Sequence, residues 1–159
     1  MMIAKRMNIE DLLWSLESTS PFTDPVLSGL SFDHLPANLR PTATQQLIPH
    51  HPMLDIFAWP VVRDKLILVF SQPPEVRPPI AASPLALMDL VYDFEDSAEG
   101  VRIWGDDPFN AENWEAGEAL FKKWWWALDS SIIGKSNQLR KERGAPLLGA
   151  GAGFVVGEV

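Results

Sequence analysis

Proline most constrains what this chain can fold into, because 14 prolines divide its 159 residues into short segments. Proline fixes φ and donates no backbone hydrogen bond, so it is tolerated in the first turn of a helix and ends a helix that precedes it. In the stretch Leu39–Ile67 the prolines predict a short helix over Thr42–Ile48 and a turn over Pro52–Phe57. The segment Pro60–Phe70 is ambiguous between a helix and a buried strand. Its opening proline and the charged triplet in its middle favour a helix.

Outside this stretch the pattern is also mainly helical. Apolar spacing and capping residues predict four helices, which cover Asn8–Ser18, Pro84–Phe94, Trp114–Leu128, and Ser130 or Ser131 to Arg143. Val101–Trp104 is predicted to be extended. Ser18–Asn38 and Gln72–Pro84 are predicted to be loops because turn-forming residues are frequent in both.

These elements predict a mostly α, compact single domain of about five or six helices joined by long proline-rich loops. We expect residues 1–38 to form an N-terminal helix and a wrapping loop, residues 39–144 to form the helical domain, and residues 145–159 to form a Gly-rich tail. A hydrophobic fraction of 47% and seven tryptophans are enough for a real core.

Charge and composition exclude several classes of function. The net charge of −8 argues against DNA binding by the chain alone, since phosphates must be neutralised by lysine and arginine. There is no cysteine, so thiolate chemistry and disulfides are excluded and a reducing compartment is expected. No apolar run of membrane-spanning length and no secretory leader are visible. We therefore expect a cytoplasmic protein.

Two adjacent histidines and an aspartate invite a metal or acid–base interpretation. His50 and His51 would point apart on a helix, Pro52 interrupts the spacing, and no second ligand motif follows, so we predict no metal and no cofactor. His51 and Asp55 are four residues apart and could pair across one turn. Such a pair raises the pKa of the imidazole and makes a general acid or base, or it simply anchors the loop.

Arg63 and Asp64 lie within an apolar segment. A buried arginine must be paired or must bind an anion. One interpretation is a structural ion pair with Asp55, Asp64 or Glu115, and the other is a clamp for a ligand carboxylate or carbonyl. The candidate catalytic residues are therefore His50, His51, Asp55 and Arg63.

The tryptophans are more numerous than a small α domain easily buries. Such indoles more often belong to a core than to a pocket, yet three consecutive tryptophans at positions 124–126 cannot all face one side of a helix. A cavity lined by indoles would suit a polycyclic or polyene ligand. The candidate substrate-binding residues are Thr42, Gln45, Met53, Trp59, Trp104, Trp114, Phe121, Trp124, Trp125 and Asn137.

A family resemblance extends over Leu39–Gly144. It is carried by short motifs in a fixed order: Leu39, Pro41-Thr42, Gln45, Pro49-His50-His51-Pro52, Asp55, Pro60, Arg63-Asp64, Trp104-Gly105, Trp114-Glu115, Lys123-Trp124, Trp126, Asn137, Arg140 and Arg143-Gly144. With these motifs the chain resembles DUF3425, a fungal domain of unknown function often found C-terminal to bZIP regions. Met53 and Leu139 stand where the family usually has tryptophan, and Trp125 stands where it usually has glycine.

The resemblance implies two alternative functions. No basic region or leucine heptad precedes the domain, so one expectation is a stand-alone pocket protein of fungal specialised metabolism. It would be a cofactor-free cyclase or isomerase, for example of the Diels–Alder type, acting on an apolar substrate. The alternative is a non-catalytic regulatory, ligand-sensing or interaction domain, which would be nuclear. The expected partners are an apolar small molecule and a second copy of the chain.

Overall fold

Seven α-helices and one short antiparallel sheet form the part of the chain that the computed structural model describes, residues 2–26 and 30–150. The mostly α fold class is confirmed. In chain order the elements are α1 (Met2–Met7), α2 (Ala43–Leu47), α3 (Pro60–Phe70), α4 (Pro79–Ala82), α5 (Ala86–Glu95), β1 (Val101–Ile103), β2 (Trp114–Ala116), α6 (Glu118–Trp124) and α7 (Ser130–Glu142). Short 3-10 turns connect them, among them Pro52–Ile56 and Trp125–Ala127.

Local capping chemistry sets several helix ends, and Pro60 and Gly144 lie at helix ends as predicted. Thr42 caps α2 through a capping box, in which its side chain accepts from the Gln45 N–H and the Gln45 side chain accepts from the Thr42 N–H. α3 is a helix that begins at Pro60, which resolves the ambiguity of that segment. Gly144 ends the last helix with φ +72°, a left-handed conformation that glycine adopts without a steric penalty.

The predicted N-terminal helix over Asn8–Ser18 is wrong. The helix lies earlier, at α1, and Asn8 ends it with φ +57°. The Ile9 N–H donates to the Ala4 carbonyl and the Asn8 N–H donates to the Lys5 carbonyl, at 3.0 and 3.1 Å. This is the hydrogen-bond pattern of a Schellman motif, in which asparagine is a common substitute for glycine.

The predicted helix over Trp114–Leu128 is also corrected. Its first three residues form β2, which pairs antiparallel with β1 and also packs on α7. Helix α6 follows and ends at Trp124, where a 3-10 turn begins. Because side chains alternate along a strand, Trp114 faces the core while Glu115 faces the opposite side.

One apolar core is shared by residues from 1–38, 39–144 and 145–150. Its large members include two indoles, Trp114 and Trp124, which are each 1% exposed. From outside the central segment it receives Ile3, Ile9, Leu13 and Leu148. Of the Gly-rich tail predicted over residues 145–159, residues 151–159 lie outside the described residues.

Substitution of glycine by alanine should have opposite effects on stability at two positions. A Cβ at Gly117 would lie 2.2 Å from the Glu99 carbonyl oxygen and 2.4 Å from that of Gly100. We expect Gly117→Ala to destabilise the fold by about 1–3 kcal/mol, because backbone must move to relieve the contact. A Cβ at Gly134, within α7, meets nothing within 4 Å. Gly134→Ala should therefore stabilise by about 0.5–1 kcal/mol. Urea unfolding of both variants checks this, and equal effects would contradict it.

Candidate functional site

Asp55 is the centre of a buried polar cluster. It lies in the 3-10 turn Pro52–Ile56 and is inaccessible to solvent. Its carboxylate accepts hydrogen bonds from Ser20 Oγ at 2.6 Å, from Gln45 Nε2 at 2.7 Å and from His50 Nε2 at 2.7 Å. We call Ser20, Gln45, His50, Asp55 and Arg63 the Asp55 network. Three separate segments of the chain thus meet at one carboxylate.

His50 lies between two oxygen acceptors. Its Nδ1 is 2.6 Å from the Ile48 carbonyl oxygen, and its Nε2 is the atom that contacts Asp55. Neither a carbonyl nor a carboxylate oxygen can donate, so the geometry favours an imidazolium with protons on both nitrogens. Burial disfavours the charged ring, but the hydrogen bond and the negative charge of Asp55, with the Ile48 carbonyl, outweigh it and raise the pKa of His50.

Arg63 extends the network toward the preceding loop. Its Nε donates to Gln45 Oε1 at 2.9 Å, and its Nη atoms donate to the carbonyl oxygens of Asn38, Phe57 and Arg40 at 2.7, 2.6 and 3.1 Å. Burial lowers its pKa to about 10, and the charges of Asp55 and Asp64 oppose that effect. At neutral pH the guanidinium is therefore charged.

The partners of Arg63 differ from the expected ion pair. Among the described residues no carboxylate contacts the guanidinium, and Gln45 bridges it to Asp55 instead. Asp64, which the sequence placed as a partner of Arg63, accepts from the Thr42 hydroxyl. The four donated hydrogen bonds tie α3 to α2 and to the chain around residues 38–40 and 57. They leave Arg63 no open face for a ligand carboxylate.

His51 does not pair with Asp55, contrary to the expectation from their spacing. Its Nε2 donates to the Ser15 carbonyl oxygen at 2.7 Å, and its Nδ1 accepts from the Met53 N–H at 3.1 Å. This arrangement requires the neutral ring. Burial, together with the positive charge of His50, lowers the pKa of His51, although Ser15 and Asp55 act in the opposite direction. His51 is therefore the cap of the turn that positions Asp55.

We expect His50 and His51 to give the folding stability opposite dependences on pH. The pKa of His50 is raised above 6.5, so its contribution to stability is complete below that pH and is lost as pH rises through the folded pKa. The pKa of His51 is lowered, so its contribution is present above pH 6.5 and is lost as pH falls through the folded pKa. We expect His50→Gln to remove the loss of stability at alkaline pH. We expect His51→Gln to remove the loss of stability at acidic pH. Urea unfolding between about pH 5 and 9 measures both slopes.

The exposed His34 supplies the control for this experiment. His34→Gln should leave the pH profile of the wild type unchanged. If all three variants gave the same profile, neither assignment would hold.

A second polar cluster has the buried side chains of Glu115 and Arg140 at its centre. Glu115 accepts from Arg143 Nη2 at 2.7 Å and from the Trp104 indole nitrogen at 2.9 Å, and its carboxylate is 3.5 Å from Arg140 Nη1. Arg140 also donates to Glu99 at 2.7 Å. We call Glu99, Trp104, Glu115, Arg140 and Arg143 the Glu115 network. It fastens α7 to the sheet, so these arginines are occupied by carboxylates of the chain itself.

The candidate substrate-binding residues are dispersed through the molecule. Trp59 packs edge-on against Trp114, with centroids 5.4 Å apart, and Trp124 donates its indole hydrogen to Asp93 at 2.9 Å. Thr42 and Gln45 form the capping box, and Asn137 accepts from the Leu148 N–H. Met53 and Phe121 are buried, Trp104 is half-buried, and Trp125 is 44% exposed.

The cavities separate the histidines from the indoles. One cavity of about 170 Å³ is lined by His50, His51 and Phe70, among others. Another, of about 260 Å³, is bordered by Trp59, Trp114 and the ion pair of Glu112 with Lys135, whose charged atoms are 3.6 Å apart. The two cavities share no lining residue. Both are smaller than about 300 Å³, the lower bound typical of pockets for drug-sized ligands.

Three important residues were not singled out from the sequence. Ser20 and Glu99 had no local signal, because their partners lie 35 and 41 residues away. Asp93 did have a local signal in the sequence, because an acid on the apolar face of α5 needs a partner. It has two, Lys123 Nζ at 3.1 Å and Trp124 Nε1.

Two absences concern the described residues only. No group of three or more histidine, aspartate or glutamate side chains there is arranged to hold a metal ion. Within residues 2–26 and 30–150, no helix combines the length and the apolar character needed to cross a bilayer.

The fold and these clusters define a mostly α domain, and within its described residues every buried side-chain nitrogen or oxygen has a hydrogen-bond partner. Residues 27–77 match the model of DUF3425, a domain of unknown function, which confirms the family resemblance over that segment. The match includes Gln45, His50, Asp55 and Arg63 of the Asp55 network and ends before the Glu115 network. No curated protein and no solved structure matches the chain.

Proposed function

We propose that this chain is a non-catalytic interaction domain of the regulatory type. The observation that carries the proposal is the commitment of the candidate catalytic groups to internal hydrogen bonds. His50 and Asp55 bind each other, Arg63 donates to three backbone carbonyls and Gln45, and His51 caps a turn. A catalytic group needs a free donor, acceptor or lone pair aimed at the substrate. Here those atoms already stabilise the fold.

The surface supports the same proposal. Several large apolar side chains are solvent-exposed on a chain that otherwise buries its core well, including Trp14 at 76%, Leu47 at 79% and Tyr92 at 69%. Aromatic side chains such as Trp14 and Tyr92 are of the types enriched where proteins bind partners. Under this proposal the chain acts in the nucleus and binds no nucleic acid by itself.

A tethering assay tests the regulatory function. The chain is fused to a heterologous DNA-binding domain, and transcription of a reporter gene is measured in yeast. We expect a change in reporter transcription relative to the DNA-binding domain alone. The matched control is the same fusion carrying Asp55→Asn at equal protein level, which should weaken the effect because a substantial fraction of the domain unfolds. A wild-type fusion that leaves transcription unchanged would contradict the proposal.

A second candidate function is the cofactor-free cyclase or isomerase. The observation that favours it is the cavity between Trp59 and Trp114, since indole walls suit an apolar polyene. An intramolecular Diels–Alder closure converts two π bonds into two σ bonds and consumes no oxidant, reductant or cofactor. Confinement of a flexible substrate can contribute up to about 7–11 kcal/mol to such a step. In this version the chain is cytoplasmic.

Incubation with a linear substrate that carries a conjugated diene and an unsaturated ester tests the second candidate. Cyclised product should form faster with the protein than in buffer. Trp59→Ala, which alters the cavity wall, should slow it, whereas the exposed Trp14→Ala should not. Equal rates with and without protein would exclude this function for that substrate class.

A further inference from the structure

The chain reverses direction after α7 and runs back along that helix. Gly144 ends α7 with φ +72°, and Arg140 Nε donates to the Pro146 carbonyl oxygen at 2.6 Å. Nearly one turn earlier on the helix, Asn137 Oδ1 accepts from the Leu148 N–H at 2.8 Å. Later residues of the returning chain therefore contact earlier residues of α7, so the two run antiparallel.

The last described residues of the returning chain lie between α7 and α6. The Gly149 N–H donates to Glu118 Oε2 at 3.4 Å, and Glu118 is the first residue of α6. The neighbouring Leu148 is buried and belongs to the apolar core. A buried side chain thus anchors the chain at the entrance of a cleft, which α6 borders on one side and α7 on the other.

The helical repeat identifies the wall that α6 gives to this cleft beyond Gly149. Residues three, four and seven positions apart lie on one face of a helix. Counted from Glu118 they are Phe121, Lys122 and Trp125, the last of which begins the 3-10 turn that follows α6. Phe121 is buried, whereas Lys122 and Trp125 are exposed. This wall therefore offers two aromatic rings and one cation.

The cleft is short enough for the following residues to span. On α7 its apolar residue is Ile133, which is half-buried and lies four positions before Asn137. From Glu118 to Trp125 the helical rise amounts to about 10 Å. An extended chain advances about 3.3 Å per residue, so about three residues after Gly149 cover that distance. The position five residues after Gly149 therefore reaches the level of Trp125 without being stretched.

The residue at that position is the one aromatic residue of the final segment. Residues 151–159, which lie outside the described residues, have the sequence Gly-Ala-Gly-Phe-Val-Val-Gly-Glu-Val. Small residues come first and keep the backbone slim where it enters the cleft. Phe154 follows, and aromatic rings pack favourably against one another. The single charged residue, Glu158, is opposite in sign to Lys122 on the wall.

We propose that residues 151–159 of the same chain occupy the cleft between α6 and α7, with the Phe154 ring against Phe121, Trp125 and Ile133. The described chain already enters this cleft, so the segment binds as an intramolecular ligand at high effective concentration. The face around Trp125 is then closed to other proteins until the segment leaves it. This inference goes beyond the proposed function, since it concerns a surface that the chain covers itself.

Disulfide cross-linking tests the placement directly, because the chain has no cysteine of its own. The full chain carries Gly153→Cys together with Lys122→Cys, and the control carries Gly153→Cys together with Lys123→Cys. Both lysines are exposed, but Lys123 faces α5, where it pairs with Asp93 at 3.1 Å. A disulfide needs Cα atoms within about 7 Å, so we expect the Lys122→Cys pair to close within one chain at least about tenfold faster.

Proteolysis of the native chain gives an independent measurement. Thermolysin cleaves before large apolar residues, and mass spectrometry follows its cleavage before Phe154. Trp125→Ala removes part of the wall and should raise this cleavage rate about tenfold, because the segment leaves the cleft more often. Trp14→Ala replaces another exposed tryptophan and should change the rate less than about twofold. Circular dichroism establishes that both variants fold.

Three results would overturn the inference. Equal cross-linking of the two cysteine pairs would show that the segment has no preference for this cleft. Cross-links that form only between two chains would assign the cleft to the segment of a second copy. Unchanged cleavage in Trp125→Ala would show that this wall does not hold Phe154.

Discussion

Replacing Asp55 with asparagine should unfold a substantial fraction of the protein. The substitution keeps the shape of the side chain and removes its charge, so His50 and Arg63 lose the carboxylate that compensates them. One of the oxygens that accept from Ser20, Gln45 and His50 is also replaced by a donor. Breaking a buried charge pair in this way costs about 3–5 kcal/mol. Urea unfolding followed by circular dichroism measures the loss.

The matched control is Asp33→Asn. Asp33 pairs with Arg40 at 3.5 Å, but its side chain is 83% exposed. Such pairs contribute about 0–1 kcal/mol, so Asp33→Asn should have little effect. A second signature concerns pH, because the alkaline loss of stability assigned to His50 should disappear in Asp55→Asn. If Asp55→Asn cost no more than Asp33→Asn, the Asp55 network would not be the centre of the fold.

Replacing Trp114 with alanine should be similarly damaging for a different reason. Trp114 is 1% exposed and contacts both Trp59 and Phe94, with centroids 5.4 and 5.9 Å away. Its indole N–H donates a hydrogen bond to the Pro108 carbonyl oxygen, at 2.9 Å. Truncation of a buried aromatic side chain to alanine costs about 3–5 kcal/mol, since it leaves a cavity that the surroundings fill only in part.

Trp14→Ala is the matched control, because it also replaces a tryptophan with alanine. Trp14 is 76% exposed, so its removal should change the free energy of unfolding by no more than about 0.5 kcal/mol. Trp114→Phe should retain much of the stability because it keeps part of the ring contact. Trp114 lines two cavities, and its removal should also increase the binding of an anilinonaphthalene dye. Equal costs for Trp114→Ala and Trp14→Ala would contradict the assignment of Trp114 to the core.

Comparison of α2 with α1 shows which kinds of signal the sequence carries. The capping box of Thr42 and Gln45 lies within four residues and is compatible only with a helix start, so local chemistry sets the start of α2. Asn8 is compatible with two positions, because asparagine is favoured both before a helix and just after one. The predicted helix over Asn8–Ser18 uses the first preference, whereas the fold uses the second. In this arrangement the apolar side chains of Ile3 and Ile9 are both buried.

The predicted helix over Trp114–Leu128 is wrong at its start for a related reason. Trp114, Phe121, Trp125 and Leu128 match helical spacing, and periodicity within a segment cannot report a strand partner elsewhere. Pairing with β1 and packing on α7 override that pattern at Trp114–Ala116. The exposed position of Trp125 follows, since it begins a 3-10 turn after α6 has ended.

The sequence by itself determined the mostly α class, the start of α3 at Pro60, the approximate position of α2, and the need of a buried Arg63 for partners. These follow from proline geometry, from capping chemistry and from the cost of burying a charge. Only the tertiary structure decided that His50 and not His51 binds Asp55, and that Arg63 binds carbonyl oxygens. Adjacent side chains differ little in sequence context, whereas the Ser15 carbonyl that binds His51 lies 36 residues away and is brought there only by the tertiary fold.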